Sequence, residues 1–504
     1  MTPATGKQPA ASLHPSLIVN PISIAGIILA ASSFFAIACL IAIDLTRGLG
    51  NPYMGILTYI VAPAFLTTGL MLTVVGALWE RHRRRKLRPD SIPMLPVLDL
   101  GVARQRRGFI AVSTVAMLFL LLTAVGSYRT YEFTESVAFC GQTCHSVMLP
   151  EYTAYQVSPH ARVACVQCHI GPGATWFVKS KLSGAYQVYA TLADTYPRPI
   201  PGPIENLRPA RETCEQCHWP EEFFGAVERT FHHYLSDDQN SPWTIQMLLK
   251  VGGGYPSTGA GIHWHMMIAD KVEYIATDKE RQVIPWVRLT DKQGNVTVFQ
   301  SSDDPLSADQ IAAAEPRVLD CIDCHNRAAH DFDPPVVSAD LALQGGRIDR
   351  TIPDVKEQVV EALTSEFDSK KDSDDGISKA LTSYYQSHHP QFASANASLI
   401  TTAVAETQRI YKQTFFPDMK VDWRVYPDNV GHLNSPGCYR CHDGKHTSGD
   451  GKTITHSCNA CHTIIAQGAP GSLDTSVTGL AFKHPVDIAG MWQQTKCSEC
   501  HDGS

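Results

Sequence analysis

The sequence predicts a mostly α and irregular fold. Three N-terminal transmembrane helices precede a large domain on the outer side of the membrane, which carries a small β insertion. Three observations predict it. Hydrophobic residues make up 44% of the 504 residues and charged residues only 18%, against roughly a quarter charged in ordinary soluble chains. Three long runs near the N-terminus contain no charge. All but one of the 15 cysteines stand in pairs whose second member is followed directly by His. The composition excludes a disordered chain, and the length excludes a small secreted disulfide scaffold. A formal net charge of −7 argues against a nucleic-acid binder.

The charge-free runs are residues 22–43, 54–79 and 108–127. Each reaches the length of about 20 residues that a helix needs to cross the hydrocarbon core. Pro63 inside the second run is tolerable where neighbouring groups satisfy the freed carbonyl. Residues 81–107 hold RHRRRKLR and RQRR and carry a net +7, so the rest of the chain carries −14. The positive-inside rule places this basic loop in the cytoplasm. The expected order is a cytoplasmic tail (1–21), spans at 22–43 and 54–79, a basic cytoplasmic loop (80–107), a span at 108–127, and an outer domain from residue 128. This is the topology of a bacterial inner-membrane protein with a periplasmic domain. The first run lacks the charged start and small-residue end of a cleavable signal, and Cys39 within it reads as a small apolar residue.

Six cysteine pairs read Cys-x-x-Cys-His: Cys165 with Cys168, Cys214 with Cys217, Cys321 with Cys324, Cys438 with Cys441, Cys458 with Cys461 and Cys497 with Cys500. Cys140 and Cys144 form a seventh pair with one extra residue between them, CGQTCH. This spacing is the signature of covalent c-type haem attachment. The two thiols add to the porphyrin vinyl groups and the adjacent His reaches the iron. Zinc pairs need no His beside the second Cys. The expected cofactors are therefore seven covalent c-type haems, with His145, His169, His218, His325, His442, His462 and His501 as ligands.

Twelve further histidines lie on the outer side, more than seven irons need. Candidates for the second axial position are His160, His233, His265, His330, His432, His446, His456 and His484, several of them close to a motif. The doublets His232–His233, His263/His265 and His388–His389 are expected to supply one ligand each at most. Met148, three residues after His145, is a thioether candidate, and thioether ligation raises haem potential. Haems closed on both faces relay electrons and bind little else.

Strands are predicted at 272–276, 283–289 and 296–300, with a hairpin turn at 291–295. Helical periodicity marks 355–367, 377–388 and 399–415, and KKDSDD (370–375) reads as a solvated loop. The domain order is a three-haem region (128–225), a middle region with one haem (226–430) and a three-haem C-terminal region (431–504). The last 67 residues, 438–504, are too few to bury much side-chain core, so porphyrin is expected to serve as their core.

The block from FCGQTCHSVMLPEY through SPHARVACVQCHIGPGATWFVKSKLSG to NLRPARETCEQCHWP, roughly 139–224, resembles the NapC/NirT family of membrane-anchored multihaem quinol dehydrogenases. CIDCHNRAAH and GHLNSPGCYRCHDGKH resemble the larger seven-haem inner-membrane cytochromes of metal-respiring bacteria. The resemblance implies oxidation of quinol from the membrane quinone pool and delivery of electrons to periplasmic acceptor cytochromes in anaerobic respiration. In the short members the first motif's Met binds iron, and here Met148 lies one residue further on. The family's quinol pocket uses a Lys and an Asp from the stretch after the second motif, where Lys179, Lys181 and Asp194 occur. Two other classes stay open: a multihaem reductase of nitrogen or sulfur oxyanions, and a haem subunit of a larger membrane complex. The first would need an iron with an open position.

Overall fold

A computed structural model describes residues 17–18, 20–47, 62–86, 101–143, 145–171, 173–204, 208–252, 261–267 and 269–504. The chain forms two compact units. One runs to Ser136 and includes Pro172–Lys179; the other comprises Val137–Gly171 and Ser180–Ser504.

The first unit contains α1 (Pro21–Arg47), α2 (Ala62–Lys86) and α3 (Ala103–Thr134). Asn20 caps α1 by accepting from the Ser23 N–H at 2.9 Å, with Pro21 in the first turn. α1 and α2 pack antiparallel through small residues. A Cβ on Gly26 would meet the Gly69 carbonyl at 2.6 Å, and one on Gly69 would meet the Ala30 nitrogen at 2.6 Å. Backbones approach this closely where apolar helices associate by contact rather than by water exclusion. The Ser23 hydroxyl donates to the Thr73 carbonyl at 2.9 Å. α2 continues through the basic stretch to Lys86, and its buried Glu80 pairs with Arg83 and Arg84.

Among the described residues, two helices are long and apolar enough to cross a membrane, Pro21–Ala42 and Ala62–Lys86. The sequence predicts three. The predicted run 108–127 lies within α3, where many side chains between 105 and 124 fall outside the described residues. The start of the predicted second span also falls outside them, and Pro63 sits in the first described turn of α2, where its missing N–H costs nothing.

The second unit is mostly helical with two antiparallel sheets. It contains α4 (His145–Val157) and then β1 (Val227–Tyr234), β2 (Pro242–Leu249), β3 (Lys271–Ile275), β4 (Trp286–Thr290), β5 (Val296–Ser301) and β6 (Arg317–Val318). Four helices follow: α5 (Pro335–Gln344), α6 (Val355–Thr364), α7 (Lys370–His388) and α8 (Ala397–Thr414). β7 (His446–Ser448), β8 (His462–Gly468) and β9 (Asp474–Leu480) complete it. One sheet has the order β1-β2-β8-β9 and the other β6-β3-β4-β5-β7. Each sheet thus combines strands from the middle and C-terminal regions.

The helical core forms around α5 to α8. Val355, Val359, Ala362 and Leu363 repeat at helical spacing on α6 and meet Ile377, Leu381 and Tyr385 of α7. Val147 and Ala154 of α4 join the same core, which anchors the helix that follows the first cysteine pair. Beneath β1, the buried Lys356 ammonium contacts Asp340 at 2.6 Å.

Four expectations need correction. The β component is two sheets rather than a small insertion, because β1, β2, β8 and β9 escaped the periodicity reading. β1 (VERTFHHY) is largely exposed and shows no apolar alternation, and β2 pairs with β8 some two hundred residues away. Residues 370–375 form the start of α7 rather than a loop. Ser369 caps that helix by accepting from the Asp372 N–H at 3.2 Å, and Phe367 packs onto Gly376. The final segment is not held by cofactor alone, since Ile464, Ala466 and Gln467 of β8 are buried against β2. The predicted strand 283–289 begins only at Trp286, because Pro285 lacks the N–H a ladder needs.

Candidate haem sites

Each regular motif contains a tight helical turn: Cys165–His169, Ala210–Cys214, Cys321–Cys324, Gly437–Arg440, Cys458–Ala460 and Cys497–Cys500. The His N–H donates to the carbonyl of the first Cys at 2.8 Å for His218, His325 and His501, and at 3.0 Å for His442. One local fold therefore fixes both thiols and the imidazole as a unit. The third motif departs from the helical form of its neighbours. Its helical turn ends at Cys214, and Cys217 lies beyond it, exposed rather than held within a helix. The Cys217 N–H still donates to the Cys214 carbonyl at 3.1 Å, so the two thiols stay together without helical continuation. Cys168, Cys458 and Cys500 are exposed as well, so among the described residues four of the expected attachment cysteines open on the protein surface rather than into a side-chain core. Such thiols are accessible for addition to a porphyrin. The first pair lies at a wider π turn, Phe139–Thr143, which takes up the extra residue of CGQTCH. Cys144 and the His145 side chain fall outside the described residues.

Six motif imidazoles each face a second imidazole. Ring centres lie 6.1 Å apart for His218 and His160, and 6.2 Å for His169 and His330. They lie 6.4 Å apart for His325 and His263, and 5.7 Å for His442 and His265. His462 and His432 are 6.2 Å apart, and His501 and His484 are 6.1 Å apart. Two metal–imidazole bonds of about 2.0 Å each, plus about 1.2 Å from each nitrogen to its ring centre, give a separation of about 6.4 Å. Direct stacking would bring the rings closer. The pairs fit a metal held between them, and the adjoining cysteines fit haem.

Backbone carbonyls orient many of these rings. Nδ1 lies 2.9 Å from the Ala328 carbonyl in His160, 2.7 Å from Val251 in His263 and 2.9 Å from Ile262 in His265. The same contact is 2.9 Å to Glu151 in His330, 2.7 Å to Thr455 in His442 and 2.7 Å to Val486 in His484. A carbonyl at Nδ1 fixes the tautomer that leaves Nε2 available as a ligand. His432 and His462 instead carry buried Nδ1 atoms with no hydrogen-bond partner. Burial pushes His169 down to about 4 and also lowers His265, His325, His330, His432, His462 and His501. These imidazoles are neutral at pH 7, the form that binds metal.

Other expected ligands are engaged elsewhere. His446 is 1% exposed, with Nδ1 2.8 Å from Asp443 and Nε2 2.7 Å from the Ile284 carbonyl. Both its nitrogens are used in holding β7 against the neighbouring loop. His456 is exposed with its ring over Gly444, and His233 contacts Asp340 at 3.2 Å. His432 faces His462 rather than the nearby 438–442 motif. His263 and His265 face different motif imidazoles, His325 and His442, across the turn at Trp264. Met148 is half-buried on α4. Lys179 lies 5.0 Å above the Trp176 ring, Lys181 is half-buried, and the exposed Asp194 is ion-paired with Arg198 at 2.5 Å. Glu151, whose carboxyl is raised by burial, lies 3.3 Å from His330.

Neighbouring cysteine pairs lie within electrostatic reach of one another in sequence order. Hydrogen bonding to Cys140 brings the Cys165 thiol down to about 7, and the thiols of Cys214 and Cys321 are likewise bonded to each other. Cys168 is raised first by burial and then by the third motif, through Cys214 and Cys217, and Cys324 by burial and then by Cys438. Cys461 feels Cys438, and Cys497 feels Cys458. The motifs therefore follow one another in space from the first to the last.

The junction of the fourth and fifth motifs is built around Asp323, inside CIDCH. Its carboxylate accepts from Tyr274 at 2.8 Å, Arg317 at 2.9 Å, Arg281 at 3.2 Å and the Asp320 N–H at 2.7 Å. Its carbonyl accepts from Arg440 of the next motif at 2.7 Å and from Asn429 at 3.1 Å. Sequence reasoning missed this residue, although its place between two haem cysteines was a signal.

Comparison with known proteins agrees with this chemistry. Residues 103–199 match the N-terminal region of the NapC/NirT cytochrome c family. The chain is also 44% identical, over 483 residues, to the cytochrome c-type protein ImcH of Geobacter sulfurreducens, which spans 96% of this chain and 95% of that protein. No solved structure matches.

Proposed function

The chain belongs to the NapC/NirT cytochrome c family, and from that premise we propose that it is a seven-haem, three-span quinol dehydrogenase of the bacterial inner membrane that passes electrons to periplasmic acceptors. That it is a membrane-anchored multihaem c-type cytochrome follows from the family and its apolar N-terminal helices. The observation that carries the finer reading is the set of six facing imidazole pairs, 5.7–6.4 Å between ring centres. His169/His330, His218/His160, His325/His263, His442/His265, His462/His432 and His501/His484 are the proposed axial pairs. His145, with Met148 as candidate partner, serves the first motif. Six irons closed on both sides suit a relay and disfavour reduction of an oxyanion at those positions. Bound haem supplies a one-electron couple whose potential follows ligand, burial and nearby charge.

This chain's residues then do three things. The carbonyls at Nδ1 hold the rings in place, so that a change of oxidation state requires little rearrangement. The ordered proximity of the cysteine pairs keeps successive centres close from the first motif to the last. Quinol oxidation releases protons as well as electrons, and side chains beside the entry point must take them. Lys179, Lys181 and Asp194 are the proposed acceptors, Asp194 being held by Arg198. Entry is at the first motif, only 12 residues past the run 108–127.

The denatured mass of the purified chain tests the cofactor count. It should exceed the polypeptide by seven haem masses. An excess of six would remove CGQTCH as an attachment site and with it the proposed entry point.

A further inference from the structure

The helix Ala174–Leu192 carries a surface that electron relay does not use. Val178, Leu182, Tyr186, Tyr189 and Leu192 recur three and four residues apart, and all are exposed, Leu182 by 69% and Leu192 by 84%. At about 100° per residue they share one stripe. Lys179 and Lys181 fall on its two edges. The opposite face is polar: Gln187 donates to Ser183 at 3.4 Å, and Thr191 donates to the Gln187 carbonyl at 2.8 Å.

An apolar stripe this continuous marks an interaction surface. Its occupant follows from two further observations. The helix starts beside the membrane anchor, where Phe177 packs against Tyr131 near the end of α3, ring centres 6.5 Å apart. The stripe also has the make-up of an interfacial helix, with aliphatic side chains in the centre, tyrosines whose rings suit the headgroup level, and lysines at the margins for phosphate. We infer that helix 174–192 lies in the lipid–water interface of an anionic bilayer, its apolar stripe among the acyl chains and Lys179 and Lys181 against lipid phosphates. The inference rests on the proposed span at 108–127. It adds a second membrane contact on the segment that carries the proposed proton acceptors.

The test uses the full-length holoprotein in nanodiscs of phosphatidylglycerol and phosphatidylethanolamine. A benzophenone amino acid is introduced in place of Leu182, Tyr189 or Gln187, with Leu118 as a control inside the proposed span. After illumination, phospholipid adducts are measured by mass spectrometry. Positions 182 and 189 should give adducts at least about tenfold above position 187, and the yield should fall in nanodiscs of phosphatidylcholine alone. Leu182→Glu should keep full haem content while reducing adducts from position 189. Adducts from 118 but not from 182 and 189 would overturn the interfacial helix and leave the span standing. Adducts with a second copy of the chain would overturn it in favour of a dimer contact, and absence of adducts at 118 as well would overturn both readings. None of these readouts depends on quinol oxidation.

Discussion

Replacing His265 with alanine should convert about one haem in seven from low spin to high spin, and that haem should then bind cyanide or carbon monoxide. His265 lies across from His442 with its Nδ1 held by the Ile262 carbonyl. Removing the ring takes away one axial ligand and leaves the covalent attachment through Cys438 and Cys441 intact. His263, two residues away, faces His325 at 6.4 Å and cannot substitute without uncovering that site. His446→Gln is the informative contrast. His446 is closer to His442 in sequence, yet both its nitrogens are engaged by Asp443 and Ile284. That variant should leave the spin state unchanged and lower only stability. Electronic absorption and electron paramagnetic resonance of the two variants check both outcomes. A low-spin His265→Ala protein would mean that the facing imidazoles are not axial pairs.

Asp323→Ala should cause the largest loss of stability of any single change near the motifs. The carboxylate is 1% exposed and faces two guanidinium groups. Removing one partner of a buried ion pair costs roughly 3–5 kcal/mol. Arg281 and Arg317 keep some access to water, with side chains 24% and 38% exposed, so a value near the lower end, about 3 kcal/mol, is expected. Asp323 also completes a capping box with Asp320 at the start of the Cys321–Cys324 turn, and losing it adds about 1 kcal/mol. Asp323→Asn should be milder, because the amide keeps part of the hydrogen bonding and loses only the charge. Thermal melting of the holoprotein should rank wild type above Asp323→Asn above Asp323→Ala. Peptide mass should show reduced haem occupancy at Cys321 and Cys324 in the alanine variant. Equal melting temperatures would mean that the Arg–Asp cluster contributes nothing to the junction.

The contrast between His265 and His446 shows what could be read in advance. Haem attachment is local chemistry: two thiols and a ligand within a few residues, so the motifs were visible in the linear chain. The local fold around them was less uniform than the shared spacing implied, since Cys217 stands outside a helical turn while Cys168 and Cys324 stand within one. The facing histidines depend on tertiary structure. His330 and His484 were suggested by closeness to a motif, but His263 and His325 are 62 residues apart and meet only because the turn after β2 returns to the β3–β6 sheet. Closeness along the chain set His432 beside the 438–442 motif, whereas its ring faces His462, and it favoured His446, both of whose nitrogens are hydrogen-bonded within the fold. The strands β3 and β5 fall on the predicted segments 272–276 and 296–300. β1 and β2 were not legible, because an exposed strand with distant partners leaves no period in its own sequence. The charge-rich start of α7 was misread for a related reason: composition resembled a solvated loop, while the cap at Ser369 set the helix boundary.

Anaerobic titration of the holoprotein, reconstituted in lipid nanodiscs, with a reduced naphthoquinol tests the central claim most directly. The absorption bands of reduced low-spin haem should appear as quinol is consumed, with about two haems reduced for each quinol oxidised. Variants of Lys179, Lys181 or Asp194 should slow that reaction without changing reduction by dithionite. A protein that dithionite reduces fully while its bands stay oxidised under excess quinol would contradict the account, and electrons would then have to enter from a protein partner.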